Sequence, residues 1–406
     1  MPRVCARRND PGCGTIYALT ASNTRRRLRV LTLIDRPVTS GGGERMASTL
    51  AAAVDPERFD RLLCSSRSHM ASTFEDTLDA AGVRVLVLDR RSKVDLASWR
   101  PLYDLLRRER VDILHAHKFG SNLWGTIIGR LARVPVVVAH EHTWSYEGQP
   151  VRRLLDRHVI ARGADAFVAV SREDQRRMIE IERVPPDVIR FLPNGIPRQQ
   201  RRGNNVRAEL GVAADALVVG AVGQLRPEKA FDVLVEVAGE LVEQTPGLKV
   251  LIAGGGEERD TLEARVRALG LEDVVLLLGP RDDVPDVLAA VDVAVLCSTR
   301  EGSPLSVMEY MAARRAIVAT DVGGVSDLIE HDRHGVLVAP GDGPALTEAV
   351  RELLADPPRR ARLGAAAAER QRAEFDFDVV VQHVEDLYEE LFRRTRRARR
   401  EHWDDA

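Results

Sequence analysis

Short β-branched runs alternate with amphipathic stretches along nearly the whole chain. In the first half the runs are RVLTLI (29–34), RLLC (61–64), VRVLVL (83–88), DILHAH (112–117), PVVVAH (135–140), AFVAVS (166–171) and VIRFLP (188–193). The polar, aperiodic RQQRRGNN (198–205) reads as a linker. The pattern restarts with LVVGAVG (217–223), LKVLIAG (248–254), VVLLLG (274–279), DVAVLCS (292–298), AIVATD (316–321) and GVLVAP (335–340). Strands that alternate with helices predict parallel sheets covered on both faces. Two such halves of about 200 residues predict two doubly wound α/β domains facing a cleft. The expected partition is a leader (1–27), a first domain (28–198), a second domain (199–375) and a final helix with a basic tail (376–406).

Composition narrows the class. The 406 residues are 44% hydrophobic and 30% charged, and no apolar run approaches the roughly 18 residues that span a bilayer. Residues 1–27 carry Arg3, Arg7, Arg8 and Arg25–Arg27 but no apolar core, so they read as a poorly ordered leader or a misassigned start and not as a secretory signal. Cys5, Cys13, Cys64 and Cys297 lack CxxC spacing, and Cys64 and Cys297 end apolar runs, as buried free thiols of a reducing cytoplasm would. The net charge of −2 conceals a split of +10 in residues 1–200 and −12 in residues 201–406. Such asymmetry bears on partners and not on fold. Arginine outnumbers lysine 55 to 4, as in proteins of GC-rich bacterial genomes.

In open parallel sheets ligands bind beyond the C-terminal ends of the strands. The residues placed there are chemically specific: Gly41–Gly43, His115, His117, His140–His142, Ser171, Gln224–Lys229, Gly254–Gly256 and Glu301–Leu305. TSGGGERMASTLA (39–51) puts three glycines before a helix, where backbone can approach a phosphate, but it is not GxGxxG and a nicotinamide site is poorly supported. GQLRPEKAFDVL (223–234) sets Arg226 and Lys229 around a turn, two cations suited to a diphosphate or simply a solvated loop. His115, His117, His140 and His142 follow consecutive strands. A metal is conceivable there, yet HxH on strand ends lacks a fixed third ligand, and a polar pocket wall is the better expectation. Trp144 and Tyr146 offer faces for a sugar ring, or a core or lid role.

STREGSPLSVMEYMA (298–312) sets two glutamates eight apart. Ser303-Pro304 reads as an N-cap followed by proline at the first helical position, with Leu305, Met308, Met311 and Ala312 as the buried stripe. Glu301 lies near the positive helix end, and Glu309, roughly 40° from Leu305 around the helix, borders the stripe. Spacing alone also allows a capping-region glutamate and a solvated one.

Taken together, these blocks resemble the retaining glycosyltransferases of the GT-B fold, family 4, from about residue 28 to 392. The resemblance rests on the GG loop with Glu44, HAHKF, EHT, PNGI (193–196), LRPEK, AGGGEERDTLEA, DVAVLCSTREGSPLSVMEYMAARRAIVATDVGG and GVLVAPGD. It implies two Rossmann-like domains and a final helix returning to the first. It also implies transfer of a hexose from a UDP- or GDP-linked donor to a hydroxyl of a glycan, lipid or small molecule, with retention. The residue matching Glu301 holds the donor sugar and the one matching Glu309 the ribose. Backbone around Gly302, Ser303, Pro304 and Leu305 meets sugar and diphosphate, Arg226 and Lys229 neutralise the diphosphate, Gly42 and Gly43 close on it, and His142 lies near the transferred sugar. Gln224 and Ala230 depart from the commonest pattern, which has arginine and glycine there, so Arg226 is expected to supply the cation. On this reading no metal or other cofactor is needed, and nucleic acid is not a partner. A nucleotide-sugar epimerase or a donor-binding subunit without turnover are the alternatives on the same fold. Finally, PVRRLLDRHVIARGAD (150–165) combines Arg152, Arg153, Arg157 and Arg162 with Leu154, Leu155, Val159 and Ile160. With Arg393–Arg400 it suggests a cytoplasmic protein that docks peripherally on an anionic membrane; the plainer reading is a solvated face whose apolar stripe packs inward.

Overall fold

The computed structural model describes residues 26–35, 42–67, 73–90, 97–142, 149–198 and 200–404. All thirteen apolar runs are strands. The first seven are β1 (Leu28–Ile34), β2 (Phe59–Ser65), β3 (Arg84–Val87), β4 (Ile113–His117), β5 (Val136–Glu141), β6 (Ala166–Ala169) and β7 (Ile189–Phe191). They form one parallel sheet in the order β3-β2-β1-β4-β5-β6-β7. The other six are β8 (Val218–Val222), β9 (Lys249–Ala253), β10 (Val275–Gly279), β11 (Val293–Leu296), β12 (Ala316–Thr320) and β13 (Val336–Val338), ordered β10-β9-β8-β11-β12-β13. Each order reverses beside its first strand, between β1 and β4 and between β8 and β11, which opens a crevice at the strand ends.

Near-continuous apolar strands are what a sheet buried on both faces requires. Around the second sheet, Val219, Val250 and Val293 pack into one core while Val218, Leu251 and Ala294 pack into another. The first sheet borrows one of its covers from far along the chain. Phe377, Val380, Val384, Tyr388 and Leu391 of the final helix (Phe377–Asp404) pack with Val30, Ile113, Val136, Val138 and Val168. The chain therefore crosses between the halves twice, and the crossings are stitched together. Ile196 N–H donates to Phe375 O (3.2 Å), and Phe377 N–H donates to Ile196 O (3.1 Å). Gly195 makes the approach possible, because a Cβ there would stand 2.8 Å from Val380 Cγ2.

Candidate active site

The second half presents a rigid polar ledge. The turn after β8 is locked to the one after β9: Leu225 N–H donates to Gly255 O and Glu258 N–H to Leu225 O, both at 3.0 Å. A Cβ on Gly254 would fall 1.7 Å from Gly223 O, so backbone packs directly on backbone. The turn ends at Lys229, whose Nζ donates to Glu301 Oε1 at 2.6 Å; Ser298 Oγ donates to the same oxygen at 2.7 Å. Arg226 is half exposed, and its nearest carboxylate is Glu228 at 4.0 Å.

Beyond Glu301, the backbone is held by Gly324 N–H donating to Gly302 O at 2.7 Å. Gly323, at φ +56°, faces Glu301 O so closely that a Cβ would stand 1.8 Å away. The helix Leu305–Ala312 then starts one residue later than the expected cap: Pro304 is itself the N-cap, with φ −70° and ψ 115° in the extended region, and Ser303 makes no capping bond. Its hydroxyl is instead buried without a partner. Ala312 is exposed and Val307 and Tyr310 are fully buried, so the helix buries a broader and differently centred face than the expected stripe. Val222 N–H donates to Tyr310 Oη at 2.8 Å, which ties this helix to β8. Glu309, between Met308 and Tyr310, is drawn into the buried face.

The first half offers a different surface. A Cβ on Gly43, in the helix Gly42–Ala53, would meet His142 Cγ at 2.9 Å and Lys118 Cε at 3.1 Å, so only a residue without a side chain fits against them. Lys118 is ion-paired with Glu44. Beneath them the four histidines form a two-by-two array. His115 Nε2 and His140 Nδ1 lie 3.1 Å apart, as do His117 Nδ1 and His142 Nε2 at 2.9 Å. The pairs stack, His140 on His142 with ring centroids 4.4 Å apart and planes within 9°. His115 Nδ1 also reaches Tyr388 Oη of the final helix at 2.6 Å. Burial, followed by mutual repulsion among the imidazoles, drives His115, His117 and His142 well below the usual range, with Lys118 adding to the effect on His142; burial alone takes His140 to about 3. The array is therefore neutral at physiological pH. Ligand atoms of His115, His117 and His140 lie within 4.8 Å of one another. The nitrogens that approach most closely are engaged with one another, His115 Nε2 with His140 Nδ1 and His117 Nδ1 with His142 Nε2. Trp144 and Tyr146 lie outside the described residues.

These two surfaces meet. A Cβ on Gly42 would touch Leu305 Cδ1 at 3.8 Å. Asn194 Nδ2, in the PNGI turn, donates to Ser303 O at 3.1 Å, and Arg172 N–H donates to Asp327 Oδ2 at 2.7 Å. Arg45 Nη2 donates to Glu309 Oε1 at 3.1 Å. Beside Glu301 opens a cavity of about 600 Å³, lined by Arg172, Glu173 and Arg176 from the first half and by Arg300, Glu301 and Asp321 from the second. Gly42, Gly43 and His142 thus gather on one wall, and Lys229, Glu301, Gly302–Leu305 and Glu309 on the other, with Arg226 standing apart from the Lys229–Glu301 pair. Sequence reasoning overlooked Arg45, Lys118, Ser298 and the side chain of Asn194. Each lies inside a block already singled out, Arg45 in TSGGGERMASTLA, Lys118 in HAHKF, Ser298 in STREGSPLSVMEYMA and Asn194 in PNGI, but none of these patterns names the partner across the fold.

Comparison with known proteins is consistent across the chain. The family profile "Glycosyltransferase Family 4" matches residues 40–200, and "Glycosyl transferases group 1" matches residues 204–370. A D-inositol 3-phosphate glycosyltransferase of Thermobispora bispora is 30% identical over 312 residues, 71% of this chain and 72% of that one. The UDP-Gal:alpha-D-GlcNAc-diphosphoundecaprenol alpha-1,3-galactosyltransferase of Escherichia coli is 28% identical over 300 residues, 70% and 78% of the two chains. Among solved structures, Anabaena HepE in complex with UDP-glucose superposes with a TM-score of 0.79 at 22% identity, covering 90% of this chain and 100% of that one, a likeness of fold.

Proposed function

The chain belongs to the family 4 glycosyltransferases, enzymes that transfer a sugar from a nucleotide-sugar, and on that premise we propose that it moves a hexose from a UDP- or GDP-linked donor to an acceptor hydroxyl with retention. The reading is supported above all by the way the first-half glycines face the second-half carboxylate segment, with Gly42 against Leu305. In this reading the halves divide near residue 198 into an acceptor domain and a nucleotide-sugar domain. The diphosphate lies at the start of the helix Leu305–Ala312, where backbone N–H groups and the helix dipole favour anions. Lys229 and Arg226 add charge, Gly42 and Gly43 close over it, and Glu309 accepts from the ribose hydroxyls. Both contacts of Glu301 fall on Oε1, which leaves Oε2 to the donor sugar.

The acceptor oxygen attacks the anomeric carbon on the face the diphosphate leaves. The carbon–oxygen bond to the diphosphate breaks, and the acceptor's proton passes to the departing phosphate oxygen. The cations stabilise the charge that develops there. His142, neutral, serves as a hydrogen-bonding wall and not as an imidazolium acid. A panel of UDP- and GDP-hexoses, incubated with and without candidate acceptors, tests this. We expect one donor to release nucleoside diphosphate, faster with acceptor, and the product to keep the donor's anomeric configuration by NMR. A rearranged nucleotide-sugar without release would mean an epimerase, and binding without either would mean a donor-holding subunit.

Two relatives frame the acceptor, one named for a diphosphoundecaprenol-linked sugar and one for an inositol phosphate. Among the described residues no helix is long and apolar enough to cross a membrane. The helix Pro150–Leu155 nevertheless leaves Val151 and Leu154 69% and 58% exposed beside Arg153 and Arg157. Arg152 turns away to Glu141 and to the face of Phe119, while Ile160 is buried and Leu155 and Val159 are half-buried. This patch suits reversible docking on an anionic leaflet. Co-sedimentation with anionic but not neutral vesicles, lost at high salt, is the expected result; indifference to anionic vesicles at low salt would favour a soluble acceptor.

A further inference from the structure

Arg45 stands in the first turns of the helix Gly42–Ala53 and reaches out of its own half. Its Nη2 donates to Oε1 of Glu309, a residue 264 positions away on the opposite wall of the cleft. The two side chains are unequal: Arg45 is 39% exposed and Glu309 only 7%. A carboxylate so enclosed has few directions of approach, and a guanidinium stands in one of them.

Resting on the reading above, in which Glu309 accepts from the ribose, guanidinium and ribose are competitors, since both are hydrogen-bond donors to one acceptor-only group. We propose that Arg45 is a placeholder at the ribose seat. It holds and neutralises the Glu309 carboxylate, then yields it to the ribose hydroxyls when a nucleotide binds. Until then the ion pair keeps Glu309 oriented and joins the two halves; afterwards the nucleotide itself takes over that bridging. Donor affinity therefore includes the loss of the Arg45–Glu309 pair, and Arg45 tunes it from the first half without belonging to the nucleotide-sugar half.

The test is calorimetric titration of UDP, GDP and their 2′-deoxy analogues into the wild type, Arg45→Ala, Arg45→Lys, Glu309→Gln and the Arg45→Ala/Glu309→Gln double variant. Partly exposed ion pairs are weak, so Arg45→Ala should bind the preferred nucleoside diphosphate about two- to fivefold more tightly, with Arg45→Lys in between. That gain should vanish in the Glu309→Gln background. The wild type should bind the 2′-deoxy analogue less well. If the 2′-deoxy penalty is present but Arg45→Ala binds no better, or worse, the exchange is refuted while the ribose assignment stands. If the wild type binds UDP or GDP and its 2′-deoxy analogue equally, the ribose assignment of Glu309 fails and the exchange fails with it.

Discussion

The two walls of the cleft solve the placement of polar groups in opposite ways. In the second half the centre is a charged pair, Lys229 with Glu301, joined by the Ser298 hydroxyl at Glu301 Oε1 on a ledge of interlocked backbone. In the first half the polar heart is the array of His115, His117, His140 and His142, buried and uncharged, with only His142 reaching the glycine-loop helix. A paired charge set in rigid backbone is preorganised to meet a diphosphate, whose charge grows as the bond breaks. A neutral imidazole wall can line a sugar pocket without attracting a counter-ion. Under the proposed function, donor chemistry belongs to the first kind of surface and acceptor accommodation to the second.

The largest expected effect falls on the charged side. Lys229→Ala should lower kcat/KM for the donor about tenfold to over a hundredfold, the loss of a charge-assisted contact worth roughly 1.5–3 kcal/mol. Arg226→Ala should cost less, because Arg226 is half exposed and loosely placed. Equal losses in both variants would mean that Lys229 and Arg226 serve the diphosphate alike; a folded Lys229→Ala with wild-type kinetics would remove the diphosphate role.

A smaller effect, on stability, separates the neutral side. The folded-state pKa of each array histidine lies below its unfolded value near 6.5, so the unfolded chain takes up protons first as pH falls. The stability from the neutral array is complete above about pH 6.5 and is lost below it, toward about pH 3 for His140, by at most about 1.4 kcal/mol per pH unit for each histidine. Urea midpoints measured from pH 7.5 to 4.5 should fall across this window, and less steeply for His117→Asn. A flat profile would mean that the imidazoles charge freely in the folded protein.

The smallest expected effect is none. If Lys229, Arg226 and a helix end serve the leaving group as proposed, turnover should survive exhaustive EDTA treatment. Abolition by EDTA and rescue by Mn²⁺ or Mg²⁺ would transfer the electrostatic work to a cation and overturn the account of the charged wall.

Much of this contrast was legible in the residues. The strands announce themselves because a doubly covered parallel sheet demands unbroken apolar runs, and strand ends in a doubly wound fold are where ligands gather. Helical spacing brought Glu309 to the edge of a buried face but could not assign its partner. Arg45 lies in the other half, and periodicity within one helix says nothing about what faces it across a cleft. The misplaced helix start has a local cause: Ser303-Pro304 fits a cap-then-proline rule, yet Pro304 adopts ψ 115° and becomes the cap. Ala312 is exposed because the stripe is centred nearer Val307 and Tyr310, a choice made by contact with β8 through Tyr310 and Val222. The histidine array was visible as composition, but its pairing depends on β4 and β5 being neighbours, with His117 opposite His140 in register.

The side-by-side crossing of Ile196 past Phe375 and Phe377 has a mechanical consequence. One flexible tether would let two bodies swing, twist and slide. Two tethers bonded to each other behave as a leaf hinge, which bends readily about one axis and resists torsion. Motion of the halves should therefore be close to a single rotation, one that would return Gly42 and Gly43 to the same place over the carboxylate segment. Small-angle scattering and two distance labels, one in each half, would then trace a single coordinate between open and shut forms rather than a cloud of arrangements.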